Sequence, residues 1–148
     1  MTKPLGLLLA VFFIVLLTSQ AQSKTEIELR QAIEADQTQV ADDVIFWSGA
    51  TERPLIGIGV TDQRSKEISS TRKNERMGKD KIERLVVSSS GDLAYEYGST
   101  TLEFDDTQSG NHESFSPTYL RVWTRDGTVW KVAAAFFRPN PSKICPVD

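Results

Sequence analysis

The sequence predicts an α+β fold in which helices lie on one face of a curved antiparallel sheet, and three observations lead there. Residues 93–104, 116–124 and 129–137 alternate in polarity with a period of two or are rich in β-branched and aromatic side chains, which marks them as long strands. Asp126-Gly127 stands between the last two; both residues tolerate the positive φ of a tight hairpin turn, so these strands pair antiparallel. Residues 24–40, KTEIELRQAIEADQTQV, are rich in helix formers and place Leu29, Ile33, Asp36 and Val40 on one face. A helix therefore precedes the strands.

Ahead of that helix the chain carries an export signal. Residues 1–4 hold one Lys, residues 5–17 are an unbroken apolar run, and Ser19-Gln20-Ala21 has the small-x-small form of a cleavage site. The run is short for a bilayer span, so residues 1–21 read as a signal peptide cleaved after Ala21 rather than as a retained anchor. Residues 22–148 then form one domain, secreted or periplasmic, with no membrane partner after cleavage. The full sequence has 17 basic and 20 acidic residues, a formal charge of -3 that includes Lys3, and their scatter argues against nucleic acid as a partner. Cys145 is the only cysteine, so no intramolecular disulfide supports the fold.

In chain order, Thr25 and Glu28 have the spacing of a capping box for the first helix. Asp36 interrupts its apolar stripe: either the helix frays there and the carboxylate reaches water, or the carboxylate is aimed into a cavity. Residues 44–47 and 55–60 read as short strands joined by a turn at Gly49 and Pro54. Gly57 and Gly59 lack the context of a phosphate-binding loop. Residues 61–77 are very polar and read as a surface helix capped at Thr61 or Asp62, its Arg and Lys residues interleaved with acids as on a solvated face. Residues 82–89 open the main sheet.

The register of the last hairpin decides which side chains face inward, because a slip of one residue turns every side chain over. A two-residue loop at Asp126-Gly127 sets Trp123 opposite Trp130. A three-residue loop with Gly127 as a bulge sets Val122 opposite Trp130, gathers Leu120, Val122, Trp130, Val132, Ala134 and Phe136 on one apolar face, and leaves Tyr119, Arg121, Trp123 and Lys131 on a wet or ligand-facing side. Consistency of the apolar face favours the second.

Gly91-Asp92, Ala94 and Gly98, followed by Asp126-Gly127 and Trp130-Lys131-Val132, resemble the signature strands of SnoaL-like and ketosteroid-isomerase-like domains of the nuclear transport factor 2-like superfamily. Upstream, Asp42, Asp43, Trp47 and Gly57 match that family's first strands and the Gly before its third helix. The resemblance spans nearly the whole mature chain. It implies a cone-shaped roll, the curved sheet wrapped around the N-terminal helices, and homodimerisation through the sheet. Two departures bear on function. Only residues 38–41 remain for the family's second helix, and Phe136 stands where relatives often carry His or another polar residue inside the cone.

Catalysis in such a cone requires titratable groups with divergent environments. Asp36 and Glu96 are the candidate catalytic carboxylates, each with a Tyr hydroxyl to polarise substrate. Glu96 shares a strand face with Ala94, Gly98, Leu102 and Phe104; that face is either the inner one or an outer one where Glu96 pairs with a cross-strand cation. His112 follows Ser109-Gly110-Asn111 in a predicted loop, and one His with one Cys supplies no metal set. No nucleophile motif occurs, and no cofactor is implied. The favoured expectation is a binding domain whose cone, lined by Trp47, Tyr97, Tyr119 and Trp123, holds a small apolar molecule or a partner. The alternative is a lyase, isomerase or hydrolase.

Overall fold

Leu29 is completely buried, and the fold can be built outward from it. The computed structural model describes residues 24–49 and 51–138; the segment expected to be a signal peptide and the tail with Cys145 lie outside these residues. Helix α1 occupies residues 24–34. Its Leu29 and Ile33 pack on Leu85, Val87, Ala94, Trp123 and Trp130, the face that the periodicity predicts. Because the chain is already helical at residue 24, Thr25 lies within the helix rather than at its cap, and Glu28 reaches across to Arg125 at 3.2 Å.

Nine strands and a second helix follow: β1 Gln39–Ser48, β2 Leu55–Ile56, α2 Ile58–Ser70, β3 Arg72–Met77, β4 Lys81–Val87, β5 Leu93–Ser99, β6 Leu102–Asp106, β7 His112–Phe115, β8 Thr118–Asp126 and β9 Val129–Arg138. The large sheet has the order β2-β1-β9-β8-β5-β4 and a small sheet the order β3-β6-β7. The α+β class is as predicted, with one correction: β1 joins β9 in parallel, so the large sheet is mixed. Bulges in the β1–β9, β4–β5 and β8–β9 ladders bend the strands and give the sheet its curvature.

Residues 71–77, predicted as the end of a surface helix, instead leave α2 and form β3 on the edge of the small sheet. The predicted strand over residues 93–104 divides at Thr100, and its second half becomes the centre of that sheet. No residue of α2 is buried. Gly57, at φ 90, begins it where the family resemblance places a Gly before a helix.

The hairpin register is neither of the two predicted. Asp126 pairs with Val129, so the loop is Gly127-Thr128, with Gly127 at φ 59 in the first loop position that favours Gly. Further along, Trp123 pairs with Val132 but Val122 pairs with Ala134, which leaves Ala133 as an extra residue in β9. That bulge puts Trp130 and Val132 on the same face as Ala135 and Phe137. Tyr119, Arg121 and Trp123 stand on this inner face, and Tyr119 and Trp123 are buried rather than wet. Leu120 and Phe136 belong to the outer face, where Leu120 is exposed.

Candidate functional site

Strand β5 alternates between exposed and buried positions, with Ala94, Glu96 and Gly98 pointing inward. Glu96 has no solvent exposure at all. Its cross-strand neighbours are Leu85 on β4 and Arg121 on β8. The carboxylate accepts hydrogen bonds from the Tyr119 hydroxyl at 2.6 Å, from the Trp123 indole N–H at 3.0 Å and from Arg121 Nη1 at 3.4 Å. The same Arg121 nitrogen donates to Asp80 Oδ2 at 2.5 Å. The guanidinium lies 4.2 Å from the centroid of the Tyr119 ring. An unpaired buried carboxylate would be severely penalised by desolvation; three donors, one of them the Arg121 cation, offset that penalty here.

Tyr119 carries a second consequence of this burial. Desolvation first, then the hydrogen bond to Glu96 and its negative charge, push the phenol well above the ordinary tyrosine range, against a smaller opposite pull from Arg121. Tyr119 is thus a fixed donor toward Glu96. The place for its ring exists because residue 98 is glycine: a Cβ there would lie 2.4 Å from the Lys81 carbonyl oxygen and 2.7 Å from the Tyr119 hydroxyl.

A carboxylate offers about four acceptor positions, and three are filled by protein donors. Glu96 lines neither of the two cavities described below. The cluster therefore ties β5 to β8 and the β3–β4 connection.

The first cavity, about 500 Å³, lies between α2 and the two sheets. Phe46 and Phe137 from the large sheet, Phe104 and Phe115 from the small one, and Ile68 from α2 supply most of its apolar surface; Ser65, Ser69, Arg72 and Glu75 supply polar atoms. The second is a groove of about 440 Å³ that takes in Trp47, Tyr97, Leu120 and Phe136 from the outer face.

Of the predicted site residues, Trp47, Tyr97 and Tyr119 line one groove, while the two carboxylates and Trp123 lie elsewhere. Asp36 is exposed, in a left-handed turn at φ 53 just after α1, and is not brought together with Glu96. Trp47 and Tyr97 are 44% and 41% exposed and line the outer groove. Tyr119 joins the Glu96 cluster and also lines the groove with Trp47 and Tyr97, and Trp123 is in both that cluster and the core. His112, predicted in a loop, is an exposed residue of β7, its Nδ1 2.9 Å from Asp105. Among the described residues no group of three His, Cys, Asp or Glu side chains is placed to hold a metal ion. The four phenylalanines of the cavity beside α2 escaped sequence reasoning. Phe46 shares the strand face of Val44, which was a usable signal; Phe137 becomes an inner residue only through the Ala133 bulge.

No protein-family model matches the chain, and no curated protein matches it in sequence. Solved structures do. A ketosteroid isomerase-like protein from Erwinia carotovora atroseptica superposes with a TM-score of 0.59 at 16% identity, over 84% of this chain and 95% of that one. A hexachlorocyclohexane dehydrochlorinase, LinA type 2, gives 0.59 at 15% identity, over 84% and 88%. A nuclear transport factor 2-like superfamily protein from Salmonella enterica serovar Typhimurium gives 0.58 at 13% identity, over 85% and 95%. Identities this low speak to architecture alone, and on that architecture the chain has the nuclear transport factor 2-like fold.

Proposed function

We propose that this chain is an exported binding domain whose half-open cavity between α2 and the two sheets holds a small apolar molecule. The observation that carries this reading is the cavity of about 500 Å³ with aromatic side chains from both sheets, a size and chemistry suited to a small ligand. One neighbour in fold, the LinA dehydrochlorinase, acts by its name on hexachlorocyclohexane, itself a small apolar compound. The export half of the proposal rests on the apolar run over residues 5–17 and the Ser19-Gln20-Ala21 site. Mass spectrometry of exported protein is expected to find a chain beginning at Gln22; an intact Met1 there would refute it. The outer sheet face, with Ile45, Trp47, Tyr95, Tyr97 and Leu120 exposed, supports a homodimer.

The test of binding is a titration with the neutral dye N-phenyl-1-naphthylamine. Saturable binding at one site per chain is expected. Ile68→Trp fills the cavity from α2, a helix with no buried residue to disturb, and is expected to weaken the dye by at least roughly tenfold. Trp47→Ala, which alters only the outer groove, should leave it unchanged.

A second reading is an enzyme that uses Glu96 as general base and Tyr119 to polarise substrate, and the 2.6 Å contact between them favours it. The binding reading is preferred because Glu96 is already held by three protein donors and lines neither cavity. Turnover of epoxides, ketosteroids or small lactones that disappears in Glu96→Gln while dye binding persists would reverse that preference.

A further inference from the structure

We propose that the ligand of the cavity beside α2 is a neutral, flat aromatic molecule, an inference that rests on the binding-domain reading above. The walls carry the first half of it. Phe46 and Phe137 form one ring pair, with centroids 5.5 Å apart and planes at 38°. Phe104 and Phe115 form another, 5.8 Å apart and nearly parallel at 19°. The first pair belongs to the large sheet and the second to the small sheet, so two different walls of one cavity present aromatic surface. A saturated ligand of the same size would gain from these walls only the burial of its area. A flat aromatic ligand adds offset-stacked or edge-to-face contacts, worth roughly two- to tenfold in affinity per ring pair.

Charge carries the second half. Among the described lining residues Arg72 is the one cation. Its guanidinium lies 4.1 Å from the centroid of Phe104, and its Nη1 donates to Glu75 Oε1 at 2.8 Å. The other Glu75 oxygen accepts the Ser69 hydroxyl at 3.3 Å. The cation is therefore already neutralised by a carboxylate on the same lining. An anionic ligand approaching Arg72 meets Glu75, and a cationic ligand approaching Glu75 meets Arg72. Ser65 and Ser69 place hydroxyls on the α2 side, where a ligand hydroxyl or carbonyl finds partners.

Calorimetric titration of the mature chain with three molecules of one skeleton tests both halves: 2-naphthol, decahydro-2-naphthol and 2-naphthoate, at pH 7. The expected result is that 2-naphthol binds roughly fivefold or more tightly than either of the others. Equal or tighter binding of the saturated alcohol overturns the aromatic half, and tighter binding of the carboxylate overturns the neutral half. Binding of N-phenyl-1-naphthylamine with none of the three overturns the ligand class and leaves the cavity reading standing; no binding of the dye either removes that reading as well. Two variants separate the causes. Phe115→Leu keeps apolar bulk and removes a ring, so the preference for 2-naphthol over its saturated analogue should shrink. Because a half-buried ring can be needed for folding, Glu75→Gln supplies an independent test on a partly exposed side chain. Freeing Arg72 should improve 2-naphthoate relative to 2-naphthol by roughly two- to fivefold. An unchanged ratio in Glu75→Gln overturns the role given to the ion pair.

Discussion

Gly98 and Tyr119 occupy one another's space, and neither makes sense alone. Gly98→Ala would drive a methyl group into the Lys81 carbonyl and the Tyr119 ring. Since the carbonyl belongs to a paired strand, the ring must give way, and the expected loss is about 1–3 kcal/mol of unfolding free energy in a urea titration. Tyr119→Phe keeps the ring and removes the donor at 2.6 Å from Glu96; leaving a buried acceptor short of a partner should cost about 1–3 kcal/mol in the same measurement. At this scale the sequence is legible in kind and not in direction. Glu96 between Ala94 and Gly98 reads as a carboxylate on a strand face of small residues, but period-2 alternation does not say which face is inside. Tyr119 and Trp123 stood out as aromatic ligand contacts, whereas their polar atoms are turned to a protein carboxylate.

Among the elements, the small sheet is the one held by exposed polar contacts. Asp105 on β6 accepts from Asn74 on β3 at 2.7 Å and meets His112 on β7 at 2.9 Å, so one carboxylate staples all three strands. Those hydrogen bonds, Asn74 first and His112 next, hold its pKa below the ordinary carboxylate value of 3.8. A depressed folded value means that the contribution is present above the unfolded pKa and is lost as pH falls through the folded one. Thermal melts should therefore hold steady down to about pH 5 and fall below about pH 4, and Asp105→Asn should flatten that fall. The sequence reading of residues 71–77 as helix failed because their side chains are polar on every side, and the pattern that makes them a strand is the presence of β6 beside them. The last hairpin shows the same limit. Its two strands and turn were plain, yet its register depends on an alanine that nothing in the local sequence marks as the extra residue.

For the whole molecule, the large sheet is a single layer with different business on each side. Its outer side leaves Trp47, Tyr97 and Leu120 exposed, and light scattering at micromolar concentration is expected to give twice the mass of the mature chain. Leu120→Asp should return the mass to that of one chain; a monomeric mass for the parent would contradict the dimer. The architecture itself was legible because the Gly-Asp strand and the strand, Asp-Gly turn, Trp-Lys-Val run span the sheet's centre, while the division of aromatics between its two sides was not. Phe136 lines the groove alone whereas Phe137 lines both groove and cavity, and the bulge at Ala133 decides which of the two reaches the cavity. Strand β9 consequently behaves like a counted spacer. Insertions of one residue in the exposed 107–110 turn should leave folding and dye binding intact, whereas one added or removed between Trp130 and Ala135 exchanges the two phenylalanines. Evolution can therefore lengthen this protein at its turns, but a frame is fixed along β9 that admits substitution and forbids a change of length.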